Sequence, residues 1–206
     1  MRRPSGLAIH DTVQVNNAGQ VAVFSGSVHF LAPNHTSAVD ISGGRVDHLG
    51  ADGTATTDIS GGSIGRIDLC EGSSVDMRGG DVSVVSSGYS SAVDISGGWI
   101  NHLIANGTAT VDISGGSVSQ LSAGQTSSVT FHGYDFGATA GLSLNGPVVL
   151  DTGTLTGKWF DGTPWAIEIS QHDFGATILA IPEPATLALL ALGGLALIRR
   201  RRQSGR

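Results

Sequence analysis

The sequence predicts an all-β chain, a parallel β-solenoid (β-helix) of 18-residue coils. Three observations predict it. First, the hexapeptide Val-Asp-Ile-Ser-Gly-Gly begins at Val39, Val93 and Val111, with variants at Thr57 and Val75, so aspartates recur every 18 residues at Asp40, Asp58, Asp76, Asp94 and Asp112. Second, apolar residues alternate within each unit, as in Ala109, Val111 and Ile113 before a Gly-Gly turn and Val118 and Leu121 after it. Period-two alternation means strands with one buried face. Third, the apolar content is mostly Ala, Val, Ile and Leu, punctuated by 31 glycines, which suits short strands and tight turns rather than a helical bundle.

Four segments follow in chain order. Residues 1–36 anticipate the repeat only loosely, through Val21-Ala22-Val23. Residues 37–134 form the regular array, and a longer period overlies it: the block from Ser37 returns from Ser91, three units on, as duplication of a three-unit block would produce. Stacking the units puts Ile41, Ile59, Met77, Ile95 and Ile113 in one buried column and Val46, Ile64, Val82, Ile100 and Val118 in another. At roughly 4.8 Å per coil the rod is about 30 Å long. Residues 135–180 are expected to be a C-terminal aromatic cap. Seven of the eleven aromatic residues fall between Phe131 and Phe174, and Trp159, Phe160 and Trp165 are expected to close the core there. Residues 181–206 form a separate tail. No matching cap is visible at the amino end, whose unpaired strand edge would invite association.

Charge narrows the partners. Five of the eleven basic residues lie in the tail, and between Pro4 and Ile181 four Lys/Arg face sixteen Asp/Glu. Nucleic acid is therefore excluded as an expected partner, since phosphate neutralisation needs Lys and Arg. The single cysteine, Cys70, allows neither an intrachain disulfide nor a Cys-based metal site.

The aspartate column is the strongest candidate for chemistry. Carboxylates one coil apart repel by about 0.9 kcal/mol per pair at water-like dielectric. Calcium bridging the ladder is one source of relief. Hydrogen bonds from each Ser-Gly-Gly turn, plus solvent, are the other, and the absence of a Gly-Gly-x-Gly-x-Asp repeat favours the second. Solenoid lyases and hydrolases need clustered acids with Arg or Lys, or paired carboxylates. Here Arg45, Arg66 and Arg78 occupy three different phases of the repeat, His48 and His102 stand three coils apart, and His29 and His132 fall at other phases. An aliphatic residue at every sixth position, as hexapeptide-repeat acyltransferases require, is also lacking: six and twelve residues past Ile41 stand Asp47 and Gly53. The expectation is a scaffold, not an enzyme.

The tail reads IPEPATLALLALGGLALIRRRR from Ile181 to Arg202. Its apolar stretch of fourteen residues, Ala185 to Ile198, would span about 21 Å as a helix, against a hydrocarbon core of about 30 Å. Arg199, Arg200, Arg201 and Arg202 can snorkel to the headgroups and place that end on the cytoplasmic side. Pro182 and Pro184 stop the helix upstream and leave an extended, accessible peptide beside the membrane.

Pro182-Glu183-Pro184, the apolar stretch with Gly193-Gly194 and the arginine cluster together resemble the PEP-CTERM sorting signal of exported bacterial proteins. The resemblance implies export with a transient inner-membrane intermediate, stop-transfer by Arg199 to Arg202, and processing near Pro182, Glu183 and Pro184 by exosortase, a membrane-embedded cysteine protease. It also implies residence at the cell surface or in the extracellular matrix, beside exopolysaccharide. No apolar run of leader length follows Arg2 and Arg3, which departs from that family and points to a start inside a longer reading frame. The functional expectation is a structural or adhesion protein of the cell surface; the alternative is a carbohydrate-binding or carbohydrate-active solenoid.

Overall fold

A computed structural model describes residues 8–139, 142–145, 148–172 and 175–182 of the chain. The described residues are strands and turns, without helix. Strands β1 (Ala8–Val15), β2 (Gln20–Val23) and β3 (Ser27–Pro33) lead into four 14-residue strands, β4 (Ala38–Ala51), β5 (Thr56–Leu69), β6 (Ser74–Ser87) and β7 (Ala92–Ala105). The next coil is split into β8 (Thr110–Ile113) and β9 (Ser117–Ala123), and β10 (Ser128–Thr139) follows. After it come β11 (Ser143–Asn145), β12 (Val148–Leu150), β13 (Gly153–Lys158), β14 (Pro164–His172) and β15 (Thr177–Pro182).

The array is the stacked parallel solenoid that the repeat predicts. Ile41, Ile59, Met77, Ile95, Ile113 and Phe131 are successive register partners, each 18 residues on, and all are essentially inaccessible. Val46, Ile64, Val82, Ile100 and Val118 form the second column, and Leu49, Ile67, Val85, Leu103 and Leu121 a third. β-Branched side chains suit these positions because each packs on its equivalents above and below as well as across the coil. The 18-residue register begins before Ser37: Gln20 pairs with Ala38 and Val28 with Val46.

The paired glycines explain why the repeat is DISGG. A Cβ on the first glycine of a pair would strike the coil below, 2.6 Å from the Phe24 carbonyl oxygen at Gly43 and 2.6 Å from that of Ser42 at Gly61. The second glycine turns the corner with positive φ: 77° at Gly44, 89° at Gly62, 88° at Gly80, 83° at Gly98 and 76° at Gly116. Close approach demands the first and backbone conformation the second. A second left-handed corner also recurs every 18 residues, at Asn17, His35, Gly53, Glu71, Tyr89, Gly107 and Gln125. Its backbone is hydrogen-bonded both within the turn (Ser73 N to Cys70 O, 3.2 Å) and to the neighbouring coil (Ser74 N to Ala55 O, 2.9 Å).

The carboxyl end departs from this pattern. The first half of β10 stacks on β8, but its second half runs antiparallel to β13, and β13 forms a hairpin with β14, which pairs in parallel with β9. A hairpin is thus inserted into the last coil, and aromatic rings fill the wider interior: Trp165 stacks between Trp159 (4.7 Å) and Phe131 (5.4 Å). Trp159 and Trp165 are buried, whereas Phe160, expected beside them, is 48% exposed; Trp159 and Phe160 share the hairpin loop, but the Trp159 indole N–H is drawn inward to Gly116 O. β15 resumes the parallel stack on β10, from Ser128 with Thr177 to Gly133 with Pro182. The expected helix of the tail lies outside the described residues, among which no helix is long and apolar enough to cross a membrane.

Candidate functional site

Asp40, Asp58, Asp76, Asp94 and Asp112 are mutual register partners, between inward-facing residues such as Val93 and Ile95, so all five carboxylates share one outer face. Two side chains in an adjacent column, Arg78 and His132, pair with this ladder. Arg78 pairs with Asp76 through Nη2 and lies 3.6 Å from Asp58 Oδ1. His132 Nε2 stands 3.0 Å from Asp112 Oδ1. Arg78 and His132 both replace the serine two places after the aspartate, the position of Ser42, Ser60, Ser96 and Ser114. Asp94 lies between the paired Asp76 and Asp112; burial, then the charges of Asp112 and Asp76, push its carboxyl above the ordinary value.

Two further ion-pair groups lie where the repeat turns into its second strand. Asp47 accepts from Arg45 Nε at 2.7 Å, with His29 Nδ1 3.1 Å away. Those hydrogen bonds, Arg45's first, hold Asp47 below its usual range. Asp68 is within 2.7 Å of both Arg66 and His48. Burial acts to raise its carboxyl, but the hydrogen bonds from Arg66 and His48 outweigh that and lower it. The fourth cation, Lys158, donates to Asp135 at 2.8 Å. Every Lys and Arg among the described residues is thus engaged by a carboxylate within the body.

What this arrangement can do chemically is limited. His102 Nε2 lies 3.0 Å from Ser122 Oγ, itself 3.0 Å from Ser170 Oγ, a hydroxyl relay with no carboxylate hydrogen-bonded to His102 among the described residues. Burial, followed by the charges of Asp52, Asp68 and Glu71, raises the Cys70 thiol and keeps it protonated. Among the described residues no three His, Cys, Asp or Glu side chains are grouped to hold a metal ion. Arg78 and His132 are the side chains that pair with the aspartate ladder in this structure.

The sorting residues are placed in part. Pro182 ends β15, with Ala180 buried and Ile181 partly exposed, while Glu183, Pro184 and Arg199 to Arg202 lie outside the described residues. Comparison with protein-family models matches residues 180–202 to the PEP-CTERM protein-sorting motif. The match begins inside β15 and leaves β1 to β14 uncovered. No curated protein and no solved structure matches the chain. The motif implies an exported protein, routed through the membrane towards the cell surface, with exosortase as its processing partner.

Proposed function

We propose that this protein is a non-enzymatic rod of the cell surface or extracellular matrix, freed from the membrane by exosortase near Pro182-Glu183-Pro184 and serving adhesion or contact with surface polymers. The observation that carries this reading is a sorting motif joined directly to a continuous strand array. Two features of the body support it. Its coils share one register and one core, so its stability comes from stacked repeats, as a scaffold requires. Among the described residues every Lys and Arg is engaged by an acid of the same chain, which leaves an outer face dominated by carboxylate and hydroxyl groups and unsuited to gripping polyanions.

The test is mass spectrometry of the carboxy terminus on protein from fractionated cells, for the wild type and a Pro182→Ala, Glu183→Ala double variant. The wild type should be found outside the inner membrane without Arg199 to Arg202, and the variant should keep them and stay in the membrane fraction. Equal processing of both would sink the sorting role of these residues. Surface display with no effect of gene deletion on cell attachment or aggregation would sink the adhesion role.

A further inference from the structure

The loop of the inserted hairpin, Trp159 to Thr163, arches over one Gly-Gly corner of the solenoid. Four hydrogen bonds pin it. Trp159 N donates to Thr163 O at 2.9 Å, Gly162 N to Trp159 O at 2.9 Å, and Thr163 N to Asp161 Oδ1 at 2.8 Å. The fourth crosses to the array: Trp159 Nε1 donates to Gly116 O at 2.9 Å. Between the loop and the corner lies an open cleft of about 490 Å³, walled by Trp159, Phe160, Asp161 and Thr163 on one side and by Ser96, Ser114 and the Gly115–Gly116 backbone on the other. That volume lies in the range of small-molecule sites.

Two features of this cleft are not used up by the fold. Phe160 is 48% exposed on a loop fixed by its neighbours, whereas Trp159 beside it is buried and suffices to anchor the hairpin. Asp161 uses Oδ1 in the turn, and its carboxylate faces the same space as three hydroxyl side chains. Trp99, another half-exposed aromatic, stands at the same corner, three residues past Ser96 and in register with Ser117. An aromatic face beside acceptors and hydroxyls suits a ligand with one C–H face and a rim of hydroxyls. The lining contains no Lys or Arg, so a carboxylated or phosphorylated ligand would meet Asp161 without compensation.

We propose that this cleft is a binding subsite for neutral saccharides, with a sugar ring stacked on Phe160 and its hydroxyls hydrogen-bonded by Asp161, Thr163, Ser96 and Ser114. The proposal goes beyond the surface-rod reading and does not depend on it, because the cleft is complete in the body whether or not the tail is processed. Recognition is non-covalent, with ring stacking supplying orientation and the polar rim supplying specificity.

The experiment is calorimetric titration of the full chain, kept in a sugar-free zwitterionic detergent, with tetrasaccharides of β-1,4-glucose, α-1,4-glucose and β-1,4-mannose, and with tetragalacturonate as the acidic comparator. At least one neutral tetrasaccharide should bind with a Kd below about 10 mM and more tightly than the uronate. Phe160→Ala should weaken that binding at least about fivefold and Phe160→Trp should hold it within about twofold. Both variants should melt with the wild type, since the ring is half-exposed. Three results would each overturn the proposal: no neutral binding up to about 10 mM, full binding by a folded Phe160→Ala variant, or tighter binding of the uronate.

Discussion

Replacing Gly61 by alanine tests the steric account of the repeat. A Cβ there would sit 2.6 Å from the Ser42 carbonyl oxygen, 0.8 Å inside the 3.4 Å at which ordinary contact begins, and 3.2 Å from the Ser42 carbonyl carbon. The obstacle is backbone, so no rotamer change relieves it. Neighbouring coils are held near 4.8 Å by ladder hydrogen bonds, and opening that gap at one corner breaks pairing on both sides of it. Overpacking against a rigid neighbour costs about 1–3 kcal/mol, and the loss of flanking ladder bonds places Gly61→Ala at the upper end of that range. Gly72 is the control. It lies one coil corner away, with its nearest atoms at 3.4 and 3.6 Å and no positive φ, so Gly72→Ala should be neutral or stabilise by up to about 1 kcal/mol through the unfolded chain. Thermal unfolding followed by circular dichroism compares the two. Because each coil contacts only its neighbours, Gly61→Ala should also broaden or split the transition as the array divides at that corner. Equal melting of the two variants would refute the close-approach argument.

Four further outcomes follow from the same structure. Ser127→Ala should raise stability by about 1 kcal/mol in denaturant melts, since Ser127 Oγ is buried without a hydrogen-bond partner and Ala55 and Ala109 already fill the equivalent positions. Ser73→Ala should lose stability instead, because Ser73 Oγ donates to Cys70 O at 2.7 Å. Asp94→Asn should stabilise the protein at neutral pH by about a few tenths of a kcal/mol after solvent screening. With its folded pKa raised above 3.8, Asp94 favours folding fully below that value and loses the contribution as pH rises through the folded pKa, so the gain from Asp94→Asn should vanish in acid melts. Asp68 has the opposite sign. Its lowered carboxyl stabilises above 3.8 and loses the contribution as pH falls through the folded value, so Asp68→Asn should cost roughly 1 kcal/mol at neutral pH and little in acid.

The coils were legible because an exact repeat fixes register: once Asp40 and Asp58 are equivalent, the positions of Ile41 on Ile59 and Val46 on Ile64 follow without further knowledge. Relief of the carboxylate ladder was also written in the repeat. Arg78 and His132 are three units apart and replace the same serine, but assigning the three arginines to different phases hid that the repeat's own serine column was the one to follow. The cap was less legible. Aromatic enrichment identified where the regular coils end, yet outside a periodic stretch nothing in Trp159-Phe160 says which ring turns inwards, and the answer depends on the Trp159 bond to Gly116. The inserted antiparallel hairpin has no counterpart in the repeat to reveal it. The second corner was obscured because four of its seven left-handed positions hold His35, Glu71, Tyr89 and Gln125, which do not mark a turn as Asn17, Gly53 and Gly107 do. They adopt it because neighbouring coils impose the turn.

The union of β15 with β10 has a mechanical meaning. Six consecutive residues from Thr177 to Pro182 pair with Ser128 to Gly133, and the sorting motif starts within that run with no spacer between them. Tension applied through the tail along the strand axis therefore loads the ladder bonds of this pair in shear, all together, before any coil is disturbed. The buried side chains of Ile178 and Ala180 resist the same slip. While the tail is attached, the rod's foot is thus its point of mechanical load, and cutting beyond Pro182 would relieve that load while leaving the last strand in place.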